Sequence, residues 1–320
     1  MRPDDRPQPG RRALLAAVLG IGGVGLAGCG IRLEDDASRV PLVPARTPVP
    51  AEDLLVALTV DSLRLATLAG AVAAPLGPAL ATIHRRQHTV LRTTLLRGGV
   101  PATTLDAASA ADPSSPATPS PTPSPTVTGT PEPSLVLARA EAAAAAGAGR
   151  FAGVDESLLA PVAALHAQRF AAATLLTGRA PTVPTARPDG DAAADLAAAT
   201  SAATYLVEVA AARSSGAARE RAVTTLTALR ALHADQVAGN DHPRDVLGVP
   251  LPFPVRSPAD ASRLVTTAVT DLRTTTGAAL PGLTGTQRAA GLAAATRWLG
   301  TVEVEAHRWG VPLAPFPGLT

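Results

Sequence analysis

The stretch Val249-Pro250-Leu251-Pro252-Phe253-Pro254-Val255-Arg256-Ser257-Pro258-Ala259-Asp260 decides how this chain folds. Its proline-rich part belongs to a long connection, residues 239–256, that also contains Pro243. Proline lacks the amide hydrogen that a helix interior needs, so this segment travels without helix. Its last four residues are a strong helix start, with Ser257 as N-cap, Pro258 at the first helical position and the Asp260 carboxylate at the third. Before the connection lie two helical segments, 191–213 and 217–237, separated by the tight turn Ser214-Ser215-Gly216. After it, the helix begun at Ser257 is expected to end near Gly277. Thr284-Gly285-Thr286-Gln287 has capping-box spacing and is expected to open a last helix running to Trp309. The tail Leu313-Ala314-Pro315-Phe316-Pro317-Gly318 is expected to dock on the helices, since it holds one of the four phenylalanines.

That order of short turn, long connection and short turn constrains topology. A helix of about 20 residues is roughly 30 Å long, so a short turn joins antiparallel neighbours, whereas a long connection can travel the length of a bundle. One long crossover between the second and third helices of a four-helix bundle is the ferritin-like arrangement. The N-terminal half repeats the rhythm. A helix over 51–74 opens with Glu52 and Asp53, where carboxylates suit the helix dipole, and is broken by Pro75-Leu76-Gly77-Pro78. A second helix is stopped after Arg97 by Gly98-Gly99. Residues 101–133, rich in Pro, Ser and Thr, are expected to be extended, with no helix and no packed core. Helix returns over 134–148 and again from Asp155 to Gly178. A faint repeat links the halves, with Ile83-His84-Arg85-Arg86-Gln87 matching Leu232-His233-Ala234-Asp235-Gln236.

Hydrophobic residues make up 46% of the chain but aromatics only 2%, so the apolar content is mostly Ala, Leu and Val. Alanine and leucine favour helix, and small faces let helices approach closely. The expected fold is all-α: two tandem four-helix bundles of ferritin-like topology with long second-to-third helix crossovers, over residues 51–178 and 190–320. There is no lysine, and Asn240 is the sole asparagine, a bias that reflects a GC-rich coding sequence rather than function.

The N-terminus carries a different signal. Arg11-Arg12 precede an apolar run of about 15 residues, within signal-peptide range and short for a membrane span. The run ends in Leu26-Ala27-Gly28-Cys29, which holds the only cysteine and resembles a bacterial lipobox. That resemblance implies that residues 1–28 are removed and that Cys29 carries a diacylglycerol thioether, giving an exported protein on the outer face of the cytoplasmic membrane. Arg-Arg-Ala-Leu-Leu resembles a twin-arginine signal, although Gly10 stands where Ser or Thr is usual. Removing residues 1–28 leaves 24 arginines against 24 acidic residues, so the formal charge of +2 falls to zero. No arginine block interleaved with aromatics occurs, which excludes nucleic acid as an expected partner. Residues 29–50, with Pro41, Pro44, Pro48 and Pro50, form a tether that reaches about 70 Å when fully stretched.

The second half, about 190–318, resembles the ferritin-like domains of unknown function of high-GC Gram-positive (actinobacterial) bacteria. Residues 249–255 leading into Ser257-Pro258-Ala259-Asp260, together with Trp309 and Pro315-Phe316-Pro317-Gly318, carry that resemblance. The first half looks like a diverged relative that precedes such domains in exported lipoproteins. The family implies a fold more than an activity.

A ferritin-like di-iron site needs two glutamates and two Glu-x-x-His motifs facing inward. The residues three before each histidine are Ala81, Arg85, Ala163, Arg230, Gly239 and Val304, so the motif is absent. His84 and His88 are i, i+4 and have zinc-ligand spacing, but Arg85, Arg86 and Arg92 oppose a divalent cation, and the pair reads as a solvated polar face. Glu208, Asp271, Glu303 and His307 are the remaining candidates for an atypical site for iron or another divalent metal, against a plainer role as hydrogen-bonded or surface groups. Trp298 and Trp309, eleven residues apart, share a helix face and read as core filling. No cofactor is expected. The sequence favours a non-catalytic, lipid-anchored bundle that binds or scaffolds an envelope protein; the alternatives are a metal-binding protein or oxidoreductase, and a carrier of a small apolar ligand.

Overall fold

A computed structural model of the chain describes residues 46–110, 132–238 and 248–319. The expected signal segment with Arg11, Arg12, Leu26, Ala27 and Gly28, the expected lipidation residue Cys29, most of the expected tether, and residues 111–131 and 239–247 lie outside the described residues. The described residues are all-α, with nine α-helices, one 3-10 turn and no strand among them. In chain order the helices are α1 (Glu52–Gly70), α2 (Leu76–Arg97), α3 (Ala102–Ala110), α4 (Pro133–Ala146), α5 (Glu156–Thr177), α6 (Asp191–Ala212), α7 (Gly216–Val237), α8 (Pro258–Gly285) and α9 (Arg288–Arg308); the 3-10 turn, Ala148–Gly153, precedes α5.

Helix starts follow the local chemistry. Asp155 caps α5 by accepting from the Ser157 amide, and Ser257 and Asp260 form a reciprocal capping box at the start of α8. At the base of α1, Arg46 donates two 2.6 Å hydrogen bonds to the Glu52 carboxylate, tying the segment before the helix to its first turn.

Three expectations need correction. Residues 101–133 were expected to be free of helix, yet α3 forms over their first part and buries Leu105. The reason is composition: residues 102–110 are alanines, threonines, Leu105, Asp106 and Ser109, and no proline stands between Pro101 and Pro113. Gly277 does not stop the helix that begins at Ser257, because α8 continues to Gly285. A Cβ at Gly277 would stand 2.1 Å from the Gly318 carbonyl oxygen, so glycine here lets the C-terminal tail lie directly on the helix. The capping box at Thr284–Gln287 does not form: Thr284 is still helical and its hydroxyl donates to the Leu280 carbonyl, while α9 begins at Arg288.

The helices pack in pairs, α1 with α2, α4 with α5, α6 with α7 and with α8, and α8 with α9, but the most extensive contact joins α5 to α9. Gly300 of α9 sets that approach, since a Cβ there would meet the Phe170 ring at 2.6 Å. Helix α5 also meets α8, and residues 162–174 of α5 are buried on every side, as expected for a central helix. One hydrophobic cluster therefore runs through both halves, from Leu55 and Leu58 of α1 through Leu159 and Leu165 to Leu229, Leu264 and Leu299. A smaller cluster, including Leu65, Leu80, Ile83 and Leu137, sits between α1, α2 and α4. No helix among the described residues is long and apolar enough to cross a membrane.

Both tryptophans are buried, and each satisfies its indole N–H on α7. Trp298 donates to Asp235 at 2.7 Å and Trp309 to the Thr225 hydroxyl at 2.9 Å, with the Arg221 guanidinium 4.1 Å from the Trp309 ring centroid.

Candidate functional site

The buried polar groups of the N-terminal half form one layer across α1, α2, α4 and α5. Glu141, the only acidic residue of α4, is fully buried, as are His84 and Gln87 of α2 and Gln168 of α5. The Gln87 side-chain amide donates to Gln168 Oε1 at 3.0 Å and to the Pro315 carbonyl at 2.8 Å, which turns its own oxygen toward His84. His84 donates from Nδ1 to that oxygen at 3.0 Å, and its Nε2 lies 2.6 Å from Glu141 Oε1. Both ring nitrogens of His84 are therefore engaged inside the layer, one by Gln87 and one by Glu141. His84 is thus a buried, paired group and not part of a solvated face. His88, one turn on, is half-buried and bonds through Nδ1 to the Thr59 carbonyl at 3.1 Å, so the two histidines do not share a ligand position.

Beside this pair lies Arg169, only 1% exposed. Its guanidinium donates to Asp61 at 2.8 Å and to the Ser62 hydroxyl at 3.0 Å. Burial pulls the Arg169 pKa below its ordinary value, and the Asp61 and Glu141 carboxylates work against that. His166, one turn earlier on α5, donates from Nδ1 to the Ala144 carbonyl at 2.9 Å and packs on Phe151, with ring centroids 5.1 Å apart. Burial first, and the Arg169 charge second, push its pKa down to about 3, so the ring is neutral near pH 7. Four buried atoms of this layer, Glu141 Oε2, His166 Nε2, Gln168 Nε2 and Arg169 Nε, have no hydrogen-bond partner. His166, Arg169 and Asp61 also line a cavity of about 220 Å³ between α1, α4, the 3-10 turn and α5.

The four carboxylate and histidine candidates of the C-terminal half do not converge. Glu208 is half-buried and paired with Arg230 at 2.7 Å, and Asp271 is exposed on α8. Glu303 is fully buried and holds the tail by accepting from the Ala314 amide at 2.8 Å and from Arg273 at 3.2 Å; Arg273 also donates to the Pro312 carbonyl. Burial raises the Glu303 pKa, against the pull of the Ala314 amide, Arg273 and the nearby half-buried His307. Among the described residues no three histidine, cysteine or carboxylate side chains are grouped to hold a metal. Glu305, buried two residues on, accepts from Thr225 at 2.8 Å and from Arg308 at 2.6 Å.

Sequence reasoning missed Glu141, His166 and Arg169 as members of one layer, and missed Glu305. The available signal was a lone charged or polar residue inside an otherwise apolar helix: Glu141 within the alanines of α4, and Gln168-Arg169 within α5. The repeat is visible in the structure too, since its last residue, Gln87 or Gln236, is buried in both halves.

Compared with protein-family models, with curated proteins and with solved structures, the chain has no match in any of the three.

Proposed function

We propose that this chain is an exported lipoprotein, held to the outer face of the cytoplasmic membrane through Cys29, whose helical body is a non-catalytic binding or scaffolding module of the cell envelope. The observation that carries the non-catalytic part is how the buried carboxylates are used. Glu141 is bonded to His84, Glu303 to Arg273 and the tail, and Glu305 to Thr225 and Arg308. Each joins two segments of the fold, so these groups serve to fix helices. The anchoring part rests on Leu26-Ala27-Gly28-Cys29 and the apolar run before it.

The finer fold belongs to the same proposal. Two tandem ferritin-like bundles, 51–178 and 190–320, related to the actinobacterial domains named above, are supported by the connections. Short links join α1 to α2, α4 to α5, α6 to α7 and α8 to α9, while long ones separate α2 from α4 and α7 from α8. In the second group α6 packs on both α7 and α8, and α9 on both α8 and α7, as one long crossover requires.

The test is cell fractionation of the wild type and Cys29→Ser. The wild type is expected in the membrane fraction, and the variant released or retained as the unprocessed precursor. Equal membrane retention and equal mobility would remove the anchor. Metal analysis of protein purified without chelators tests the non-catalytic part: stoichiometric iron, zinc or manganese, lost in Glu303→Ala or His307→Ala, would replace the scaffold with a metal protein.

A further inference from the structure

Helix α2 carries more positive charge than the fold around it balances. Of the nine helices among the described residues it alone has no aspartate or glutamate, yet it holds Arg85, Arg86, Arg92 and Arg97. At 100° per residue these four fall within an arc of about 140°, together with Thr89, Thr93 and Leu96. The arc is the outer side of the helix, since Arg85, Arg86 and Arg97 are exposed and Arg92 is half-buried. The inner side is taken: α2 packs on α1 and turns His84 to Glu141 of α4 and Gln87 to Gln168 of α5. Arg92 is paired with Asp106 of α3 at 2.9 Å. Arg85 reaches the uncharged Thr82 hydroxyl at 3.4 Å, and Arg86 and Arg97 have no hydrogen-bond or ionic partner among the described residues. The acids of α1 are used elsewhere: Glu52 holds Arg46, Asp61 holds Arg64 and Arg169, and Asp53 lines a groove toward α3. Like charges on one side of a helix repel one another, so this face is complementary to an anionic surface. Leu96, 36% exposed, stands among them as an apolar contact.

The place where the chain joins the helices favours one such surface. The residues before α1 lie on the turn that follows α2: a Cβ at Gly98 would stand 2.9 Å from Val49 Cγ2, and one at Gly99 3.7 Å from Arg46 Cδ. The arginine face therefore ends, at Arg97, beside the segment that leads back toward Cys29. Sixteen residues separate Cys29 from Arg46, a reach of at most about 55–60 Å, and α2 itself is about 33 Å long. We propose that the outer face of α2, with Arg85, Arg86, Arg92, Arg97 and Leu96, docks on the anionic lipid headgroups of the membrane that holds the anchor. The nearness of that membrane rests on the lipoprotein reading; the charge of the face does not. Each arginine at an anionic bilayer strengthens the contact about fivefold, and Leu96 adds apolar area at the headgroup level. Docked in this way, α2 lies along the bilayer instead of standing off at the full length of the link.

Fluorescence of the full-length Cys29→Ser chain tests this, with bimane on Thr93→Cys, its only thiol, at an exposed position of the face. The apolar run before residue 29 can itself hold this chain to lipid, so the reporter is read and not sedimentation. Vesicles of phosphatidylglycerol are compared with vesicles of phosphatidylcholine. The expected result is a blue shift on the anionic vesicles alone, reversed as salt rises from about 0.1 to 1 M. A reporter on Thr227→Cys, exposed on α7, is expected to stay unchanged. Arg85→Gln, Arg86→Gln and Arg97→Gln together are expected to remove at least about nine-tenths of the shift, since three losses of about fivefold multiply, with thermal unfolding unchanged. No shift on phosphatidylglycerol, equal shifts on the two lipids, an equal shift at residue 227, or a shift that survives the triple variant would each overturn the proposal. An equal response to soluble polyglutamate would overturn it too, by making the face a polyanion site. The lipoprotein reading is decided separately, by the modification of Cys29 that this chain lacks.

Discussion

Glu141 sits in a run of alanines and reaches across the bundle to a histidine on another helix, with no water-facing route for its charge. A buried pair of this kind is weak evidence of net stabilisation, but breaking it by deleting one partner leaves the other uncompensated. Glu141→Ala is therefore expected to lower the unfolding free energy by about 3–5 kcal/mol, and the double variant His84→Leu, Glu141→Leu to recover most of that loss. Urea unfolding measures both; a loss for Glu141→Ala within the roughly 0–1 kcal/mol of an exposed pair would contradict the assignment. His166 sets a pH dependence. Because burial holds its pKa at about 3, the unfolded chain binds a proton below the ordinary value that the folded chain refuses. Its contribution is intact above about pH 6.5 and is lost as pH falls from there toward 3, by up to about 1.4 kcal/mol per unit. Glu303 acts in the opposite sense: its pKa is raised by burial, so the folded chain takes up that proton first and regains stability as pH falls. The drop in urea midpoint between about pH 7 and about pH 5 is expected to shrink in His166→Gln and to widen in Glu303→Gln. The same drop in all three proteins would exclude both assignments.

At the scale of elements, α8 shows what a sequence pattern conceals. Glycine near the end of a helical stretch is a normal stop signal, but Gly277 is a seat for the C-terminal tail, whose Pro315 carbonyl reaches Gln87 and whose Ala314 amide reaches Glu303. The sign of one substitution separates the two roles. In an open helix, Gly→Ala stabilises by about 1 kcal/mol. Here Gly277→Ala is expected to destabilise by about 1–3 kcal/mol through overpacking, and to speed amide exchange in residues 311–319. A stabilised variant with an unchanged tail would refute the seat. Helices are legible because alanine and leucine set the period and prolines and glycines punctuate it; α3 is masked because its nine residues adjoin a long proline-rich tract. The polar layer was harder to see, since His84 and Glu141 stand 57 residues apart on different helices. Periodicity reports which face of a helix is apolar, not which partner a buried polar group meets.

For the whole molecule, the shared core has a consequence for unfolding. Helices α1–α5 and α6–α9 follow one another in sequence, but α5 belongs by packing as much to α9 as to α4. Far-UV circular dichroism follows all the helices, whereas tryptophan fluorescence reports α9 and its C-terminal cap alone, since Trp298 and Trp309 are the only tryptophans. The two signals are expected to give one coincident urea transition. A dichroism curve that splits in two would show that the groups fold independently. Arg46 is bonded to the first turn of α1, and in the proposed lipoprotein the proline-rich residues between Cys29 and Arg46 are the link to the membrane. The claim on which that arrangement rests is the lipidation of Cys29, and mass spectrometry of the N-terminal peptide of the protein extracted from cell membranes tests it most directly. The account predicts a chain that begins at Cys29 and carries a diacylglycerol thioether. A peptide that continues upstream of Cys29, or one with an unmodified thiol, would contradict it.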